Sequence, residues 1–453
     1  MNQQTVTLTP FHKEFLEKII RVPSVGGTPE KNAPYGEAVR KVLDLFLTEA
    51  KKYGFKTGVI GNRVGWVEFG TGEKLIGIIC HLDVVPVADG WSSDPFTLTF
   101  RKDETDSVVM VARGIVDDKG PACAGFFAMK GLLDENRIPK NCRVRLILGT
   151  DEERTCSCIQ YYAAHGEIPD FAITPDSVFP VIFSEKRILQ LRIFGENDAG
   201  LEAHGGSAVN IVPANAYCVV DGKKIKTAGI AAHASKPELG VNAIELLPCA
   251  MVKQRIDISD YPMMKFIKDF SKAEFTRSKA NDENCNLTCN LGILNMDNEG
   301  CELRIDFRVP AEANADVLIQ AIEKKASAYG LQTEVTLNLA PLLIPKDSEE
   351  IRNLTDIWER HMDQFSGFQE EYRKIHIEPK AVGVGTYARH IPNTVAFGIQ
   401  APWQIDQCHQ TNEHVTVNDF LQWVEILREF IIIMNECKYS QYAERTAGSN
   451  KKC

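Results

Sequence analysis

The sequence predicts an α/β protein: a mostly parallel sheet covered by helices, interrupted by an inserted α+β domain. Three observations predict it. Continuous apolar runs of strand length, in KLIGIICHLDVV (Lys74 to Val85), RVRLILG and DFAIT, suit strands buried on both faces. Segments with helical apolar spacing stand between them, the alternation expected of parallel strands joined by crossovers. From about residue 188 shorter alternating strands come in pairs, and after about 380 the first pattern resumes. The expected division is 1–187 and 380–453 for one domain in two parts, with 188–379 as the insert.

Taken in order, FHKEFLEKII and YGEAVRKVLDLFLTEAKKYG read as helices around the Gly/Pro-rich loop RVPSVGGTPEKNAP. Asp117 and Asp118 precede the helix PACAGFFAMKGLL, and acids favour helix amino ends, which is the only task expected of Asp118. In the insert, YCVVDGKKIKTAG reads as a hairpin whose Asp221-Gly222 pair suits a type I′ turn. LTCNLGILNMDNEGCELRIDFRVP gives a second strand pair around Asn298 to Gly300, and ADVLIQAIEKKASAYG an amphipathic helix. VGVGTYARHIPNTVAFGI then supplies a Gly-rich turn and a strand. VNDFLQWVEILREFIIIMNE closes the chain as a helix capped by Asn418 or Thr416, and the tail from Lys438 is expected to fray.

Five potential metal ligands stand in these settings: His81 in ICHLDVVP, Asp117 in ARGIVDDKGP, Glu153 in GTDEERT, Asp176 in TPDSVFP and His409 in CHQTNEH. Three of them fall at the carboxyl ends of expected strands, where open α/β sheets gather their ligands, so they should converge. Two imidazoles and three carboxylates suit a pair of adjacent divalent cations, because one carboxylate can bridge. Asp83, two positions after His81, is placed to accept the second ring N–H of that histidine and fix its tautomer. Glu152 and Glu153 point in different directions, so one can bind metal while the other takes a proton.

Composition narrows the class. The chain has 453 residues, 44% of them hydrophobic and 25% charged, which suits two globular domains. Its net charge of -10, with no long basic run, argues against a nucleic-acid partner. MNQQTVTLTPFHKEF lacks a basic region and an apolar core, and no run is long enough to span a membrane, so a cytoplasmic protein is expected. Thirteen scattered cysteines, an odd number, fit reduced thiols, and Cys156 and Cys158 lack zinc-knuckle spacing. His12, His361 and His376 are given no role.

The H-x-D of ICHLDVVPVADGW, RGIVDDKGP, the DEE triplet, the PD of TPDSVFP and HQTNE together resemble the aminoacylase and carboxypeptidase-G type metallopeptidases. With DDKGP, the run after Asp176, HASKPELGVNA and GVGTYAR, the chain is most similar to bacterial dipeptidases active on β-Ala-His (carnosine) and related dipeptides. The resemblance implies a metallopeptidase catalytic domain with a lid insert. It implies that Asp117 bridges two metals, with His81 and Asp176 completing one site and Glu153 and His409 the other. Asp83 would orient His81, Glu152 would be the general base for a metal-activated water, and the metals would be zinc, or manganese in some relatives. Asn210 and His233 would face the scissile carbonyl, and Arg308 would hold the substrate's terminal carboxylate. GVGTYAR departs from the Gly triplet of many relatives at Val384.

The expected activity is hydrolysis of small unblocked dipeptides. An N-acyl amino acid deacylase is the alternative within the enzymes, since the same metal site hydrolyses any small amide. A metal-binding homologue without catalysis is the alternative outside them, and the presence of all five ligands and Glu152 speaks against it. Relatives with a lid of half this size dimerise through it. An insert long enough for two such units therefore leads to the expectation of a monomer.

Overall fold

The apolar runs singled out in the sequence become buried strands, and the computed structural model describes them within residues 8–197, 200–270, 286–383 and 385–437. Val384 and the tail from Lys438 lie outside the described residues. Up to Glu185 the chain forms α1 (Pro10–Ile20), α2 (Glu37–Lys52), β1 (Lys56–Ile60), β2 (Val64–Gly70), β3 (Lys74–His81), β4 (Thr99–Lys102), β5 (Val108–Val111), α3 (Lys119–Asp134), β6 (Cys142–Gly149), α4 (Ser157–His165), β7 (Phe171–Thr174) and β8 (Val181–Glu185). Next come β9 (Arg187–Gly195), β10 (Glu202–Gly205), β11 (Asn215–Val220), β12 (Lys223–Ala228), α5 (Ala243–Lys253), α6 (Pro262–Asp269), β13 (Thr288–Asp297), β14 (Gly300–Val309), α7 (Ala315–Ser327), β15 (Gln332–Leu339) and β16 (Leu342–Leu343). The chain closes with α8 (Glu349–His361), α9 (Tyr372–Ile375), β17 (Lys380–Val382), β18 (Thr394–Phe397), β19 (His414–Thr416) and α10 (Val417–Glu436).

Two compact units divide these elements. One holds the residues up to Phe183, Ile344–Lys380 and those from Thr386 on; the other holds Ser184–Leu343 with Ala381–Gly385. In the first unit the strand order is β1-β2-β6-β3-β7-β18-β8. Its centre is parallel, since β3 pairs with β6 and β7, and β7 with β18. Antiparallel β1, β2 and β8 flank that block. The β3–β6 register sets His81 opposite Gly149, so both strands end at one level. A separate sheet, β19-β5-β4, pairs Val111 with His414 and brings two distant loops side by side. The closing helix is capped by Thr416, whose hydroxyl accepts the Asp419 N–H at 3.0 Å.

The second unit is built on one antiparallel sheet, ordered β12-β11-β10-β13-β14-β9-β15. The β11–β12 turn is the one read from sequence, with Asp221 and Gly222 at φ 49° and 73° as a type I′ turn requires. Leu189, Leu191 and Ile193 of β9 and Ile244 and Leu247 of α5 share its core.

The carboxyl boundary of the insert differs from the expected 379. Residues 344–380 belong with the first unit because α8, capped by Ser348, buries Ile351, Leu354, Ile357 and Trp358. Trp358 stacks on Phe179 of the same unit, with ring centroids 4.3 Å apart and planes 11° from parallel. No helix among the described residues is long and apolar enough to cross a membrane.

Candidate metal centre

The site lies in the first unit, at the carboxyl ends of its parallel strands. His81 closes β3 and is fully buried, with Nε2 2.9 Å from Asp117 Oδ1 and 3.7 Å from Asp176 Oδ2. Asp176 follows β7 by two residues. The opposite ring nitrogen, Nδ1, is 2.9 Å from the backbone carbonyl of Asp83 and 3.5 Å from its Oδ1. That carbonyl is thus the nearer group fixing the imidazole, and Nε2 is left facing the site. The Asp83 carboxylate has another task, since Oδ1 accepts the Glu152 N–H at 3.2 Å and Oδ2 the Glu153 N–H at 3.1 Å. It shapes the turn that carries both glutamates.

Asp117 sits in a tight loop before α3. Gly120 donates its N–H to the Gly114 carbonyl at 2.9 Å, and a Cβ at Gly120 would fall 1.9 Å from the Ile115 oxygen. Only glycine fits that approach. Asp118 departs from its expected role, because its side chain makes no capping bond to α3. Instead Oδ2 accepts the His81 N–H at 2.8 Å from a fully buried position. The reason lies in the sheet: β7 pairs with β3 only as far as Ile78, so the His81 N–H on that side needs a partner.

His409 comes from the loop before β19, in a left-handed conformation at φ 64°, with 56% of its side chain exposed. Its Nε2 lies 3.2 Å from Asp117 Oδ2 and 3.0 Å from Glu153 Oε2. All five expected ligands therefore fall into two groups, His81–Asp117–Asp176 and Asp117–Glu153–His409, each with its ligand atoms within 4.8 Å of one another. One oxygen of Asp117 belongs to each group.

The electrostatics show what the residues fit. Burial pushes Asp176 up to about 7, helped by the Asp117 charge, and burial with the Asp176 charge holds Glu152 well above the carboxylate range. Hydrogen bonds to Asp117 and Glu153 raise His409 to about 10. Burial opposes ionisation of Asp117, but the two imidazoles outweigh it and keep its carboxyl low. Buried Glu153 Oε1 has no hydrogen-bond partner among the described residues, and His81 Nε2 has only the carboxylates of Asp117 and Asp176 before it. Crowded carboxylates converging on one point with two imidazoles, and a buried glutamate oxygen left unpartnered, fit a bound metal cation.

Sequence reasoning missed Glu413, the glutamate of HQTNE four residues after His409. It is fully buried, and its carboxylate accepts the N–H groups of Val116 at 2.7 Å, Asp117 at 3.1 Å and Gly114 at 2.9 Å. The one available signal was its place inside the His409 motif. Cys156 and Cys158 enter neither ligand group; Cys158 Sγ lies 2.9 Å from Tyr387 Oη.

The three residues expected to bind substrate gather in the second unit. Ile211, next to Asn210, bridges to His233, and the Asn210 carbonyl accepts the Ala234 N–H at 2.9 Å. Thr288, opposite Arg308 in the β13–β14 register, donates its hydroxyl to the Ala234 carbonyl at 3.4 Å. Arg308 is buried, with Nε 2.7 Å from Asp306 Oδ1 and Nη1 3.0 Å from the Gly383 carbonyl. Burial and the Arg308 charge lower the pKa of His233.

Comparison with known proteins gives the family and the fold. Residues 77–432 match the model of peptidase family M20/M25/M40. The chain is 30% identical to "Putative dipeptidase YtjP" of Bacillus subtilis (strain 168), over 90% of this chain and 93% of that protein. It is 28% identical to "Putative dipeptidase SH1171" of Staphylococcus haemolyticus (strain JCSC1435), over 88% and 91%. Among solved structures, the aminoacylhistidine dipeptidase of Vibrio alginolyticus superposes with a TM-score of 0.59 at 13% identity, covering 95% of this chain and 99% of that one. The M20 family metallo-carboxypeptidase Sso-CP2 of Sulfolobus solfataricus gives 0.58 at 17% identity, covering 95% and 100%. At these identities the two structures establish a shared fold.

Proposed function

The chain belongs to peptidase family M20/M25/M40 and is a hydrolase of the metallopeptidase kind, and from that premise we propose a dinuclear dipeptidase acting on small unblocked dipeptides. The observation that carries two ions rather than one is the division of Asp117, with Oδ1 toward His81 and Oδ2 toward His409. His81 and Asp176 would hold one ion, Glu153 and His409 the other, with Asp117 shared. Zinc suits the mixed imidazole and carboxylate donors, and manganese is the alternative. Such ions, when bound, polarise a carbonyl and lower the pKa of water.

The remaining steps belong to side chains. Glu152 is the general base: it takes the proton of the attacking water and returns it to the leaving amine. Asp83 keeps the Glu152 backbone in place. Asn210 and His233 are the groups for the scissile carbonyl. Arg308, with one edge of its guanidinium engaged by Asp306, offers a fixed donor set to the substrate's terminal carboxylate.

Activity on β-Ala-His and similar dipeptides is supported by the motif resemblance and by the dipeptidase names of the curated relatives. A monomer in the cytoplasm completes the reading. Rates on carnosine, alanine dipeptides and N-acetyl amino acids, measured side by side with and without chelator, test it. Chelator-sensitive cleavage of the dipeptides is expected. Faster turnover of the N-acetyl amino acids would make the protein a deacylase, and metal binding without turnover of any of them would make it a non-catalytic homologue.

A further inference from the structure

Arg113 and Glu413 form a buried ion pair, Nη1 to Oε2 at 2.8 Å, that takes no part in the chemistry above. Their side chains are 2% and 0% exposed. Glu413 receives four donors: Arg113 Nη1 and the Gly114 N–H on Oε2, and the N–H groups of Val116 and Asp117 on Oε1. Arg113 reaches the other way, with Nη2 donating to the His409 carbonyl at 3.4 Å and its guanidinium over the Trp91 ring at 5.3 Å. The loop beyond Trp91 adds a tie, since Ser92 N–H and Oγ–H both donate to Asn412 Oδ1 at 2.8 Å. One pair of side chains thus holds the backbones of Asp117 and His409 together.

The two ligand groups are supported differently. His81 and Asp176 stand at the ends of β3 and β7, and Asp118 ties the Asp117–Asp118 corner to β3 through the His81 N–H without help from Glu413. His409 has no strand beneath it. Its loop is left-handed at both His409 and Asn412, with φ 64° and 60°, and its side chain is largely exposed.

We propose that Arg113 and Glu413 are positioning residues for the Asp117–Glu153–His409 group, setting its affinity for a cation while leaving the His81–Asp117–Asp176 group nearly untouched. The inference rests on the dinuclear reading. Glu413→Gln keeps the size but turns one acceptor edge into a donor that faces backbone N–H groups, so one side of the clamp is lost. Arg113→Lys keeps a charge and loses the fork that reaches His409.

The experiment is a calorimetric zinc titration of the metal-free full-length protein and both variants, with elemental analysis after dialysis against limiting zinc. Wild type should bind two zinc ions in two affinity classes. Both variants should keep the tight class within about threefold and lose about 10–100-fold in the weak class, the range typical of removing a partner that orients a ligand. Equal loss in both classes, or none in either, would overturn the proposal while leaving the dinuclear reading intact. A wild-type protein that takes up one ion would overturn both. Should Glu413→Gln fail to fold, Arg113→Lys alone decides, because it leaves the three backbone bonds to Glu413 in place.

Discussion

Asp117 Oδ2 lies 3.2 Å from His409 Nε2, and these two residues reach each other from distant parts of the chain. Asp117 leads into α3, whereas His409 follows β18. The pairing of β5 with β19, Val111 opposite His414, sets the two loops side by side.

Asp117→Ala removes the carboxylate that both ligand groups share. Metal content should fall to one ion per chain or fewer. Turnover should drop by more than the ~10–100-fold typical of losing an outer partner of a metal ligand. Elemental analysis together with kcat on a dipeptide checks this, and wild-type turnover in the variant would sink the bridging assignment.

Glu152→Gln keeps the shape and removes the base. A fall in kcat of about 10²–10⁴-fold with metal content unchanged is the expected result. Loss of metal in Glu152→Gln, but not in Glu153→Gln, would exchange the roles of the two glutamates.

Metal affinity should rise with pH. His409, raised to about 10 by its bonds to Asp117 and Glu153, and Asp176, raised to about 7 chiefly by burial, both hold protons at pH 6 that a cation must displace. A raised pKa makes the proton the stronger competitor below it. Affinity therefore climbs from pH 6 toward 10, by about tenfold per unit for each proton released. Calorimetry in two buffers of different ionisation enthalpy counts those protons, and a flat profile with no release would contradict the assigned ligands.

Arg308→Lys should raise KM for dipeptides with a free carboxyl terminus and change little for amidated ones, since it removes the planar fork suited to a substrate carboxylate. Arg308→Ala leaves the buried Asp306 with Gln190 but without its ion-pair partner and should cost about 3–5 kcal/mol of stability. Equal effects on free and amidated substrates would remove Arg308 from the binding site.

Light scattering should give the mass of one chain, and a pentapeptide should be cleaved far more slowly than a dipeptide. A stable dimer would contradict the monomer, and efficient pentapeptide cleavage the restriction to short substrates.

The candidate ligands at strand ends were legible because each apolar run stops at a residue that burial alone would not tolerate. His81 after KLIGIIC and Glu153 after RVRLILGTDE are of this kind. The hairpin at Asp221-Gly222 was legible for a local reason, its backbone requirement for positive φ. Glu413 was hidden because its partners, Gly114 to Asp117, come from the far side of the β5–β19 pairing, which no local pattern announces. Asp118 was misread because a helix-start acid looks the same in sequence whether it caps its own helix or turns toward a neighbouring strand. The boundary at 343 was missed because the spacing of α8 shows that one face is buried without showing what it is buried on.

The position of β18 has a consequence for synthesis of the protein. It lies between β7 and β8, two strands only six residues apart in the chain, yet it is made after the entire second unit. A growing chain therefore carries a sheet with one slot open while Ser184–Leu343 leaves the ribosome, and His409 emerges only once that slot can be filled. A chain cut short before Thr394 would therefore lack the strand that joins β7 to β8.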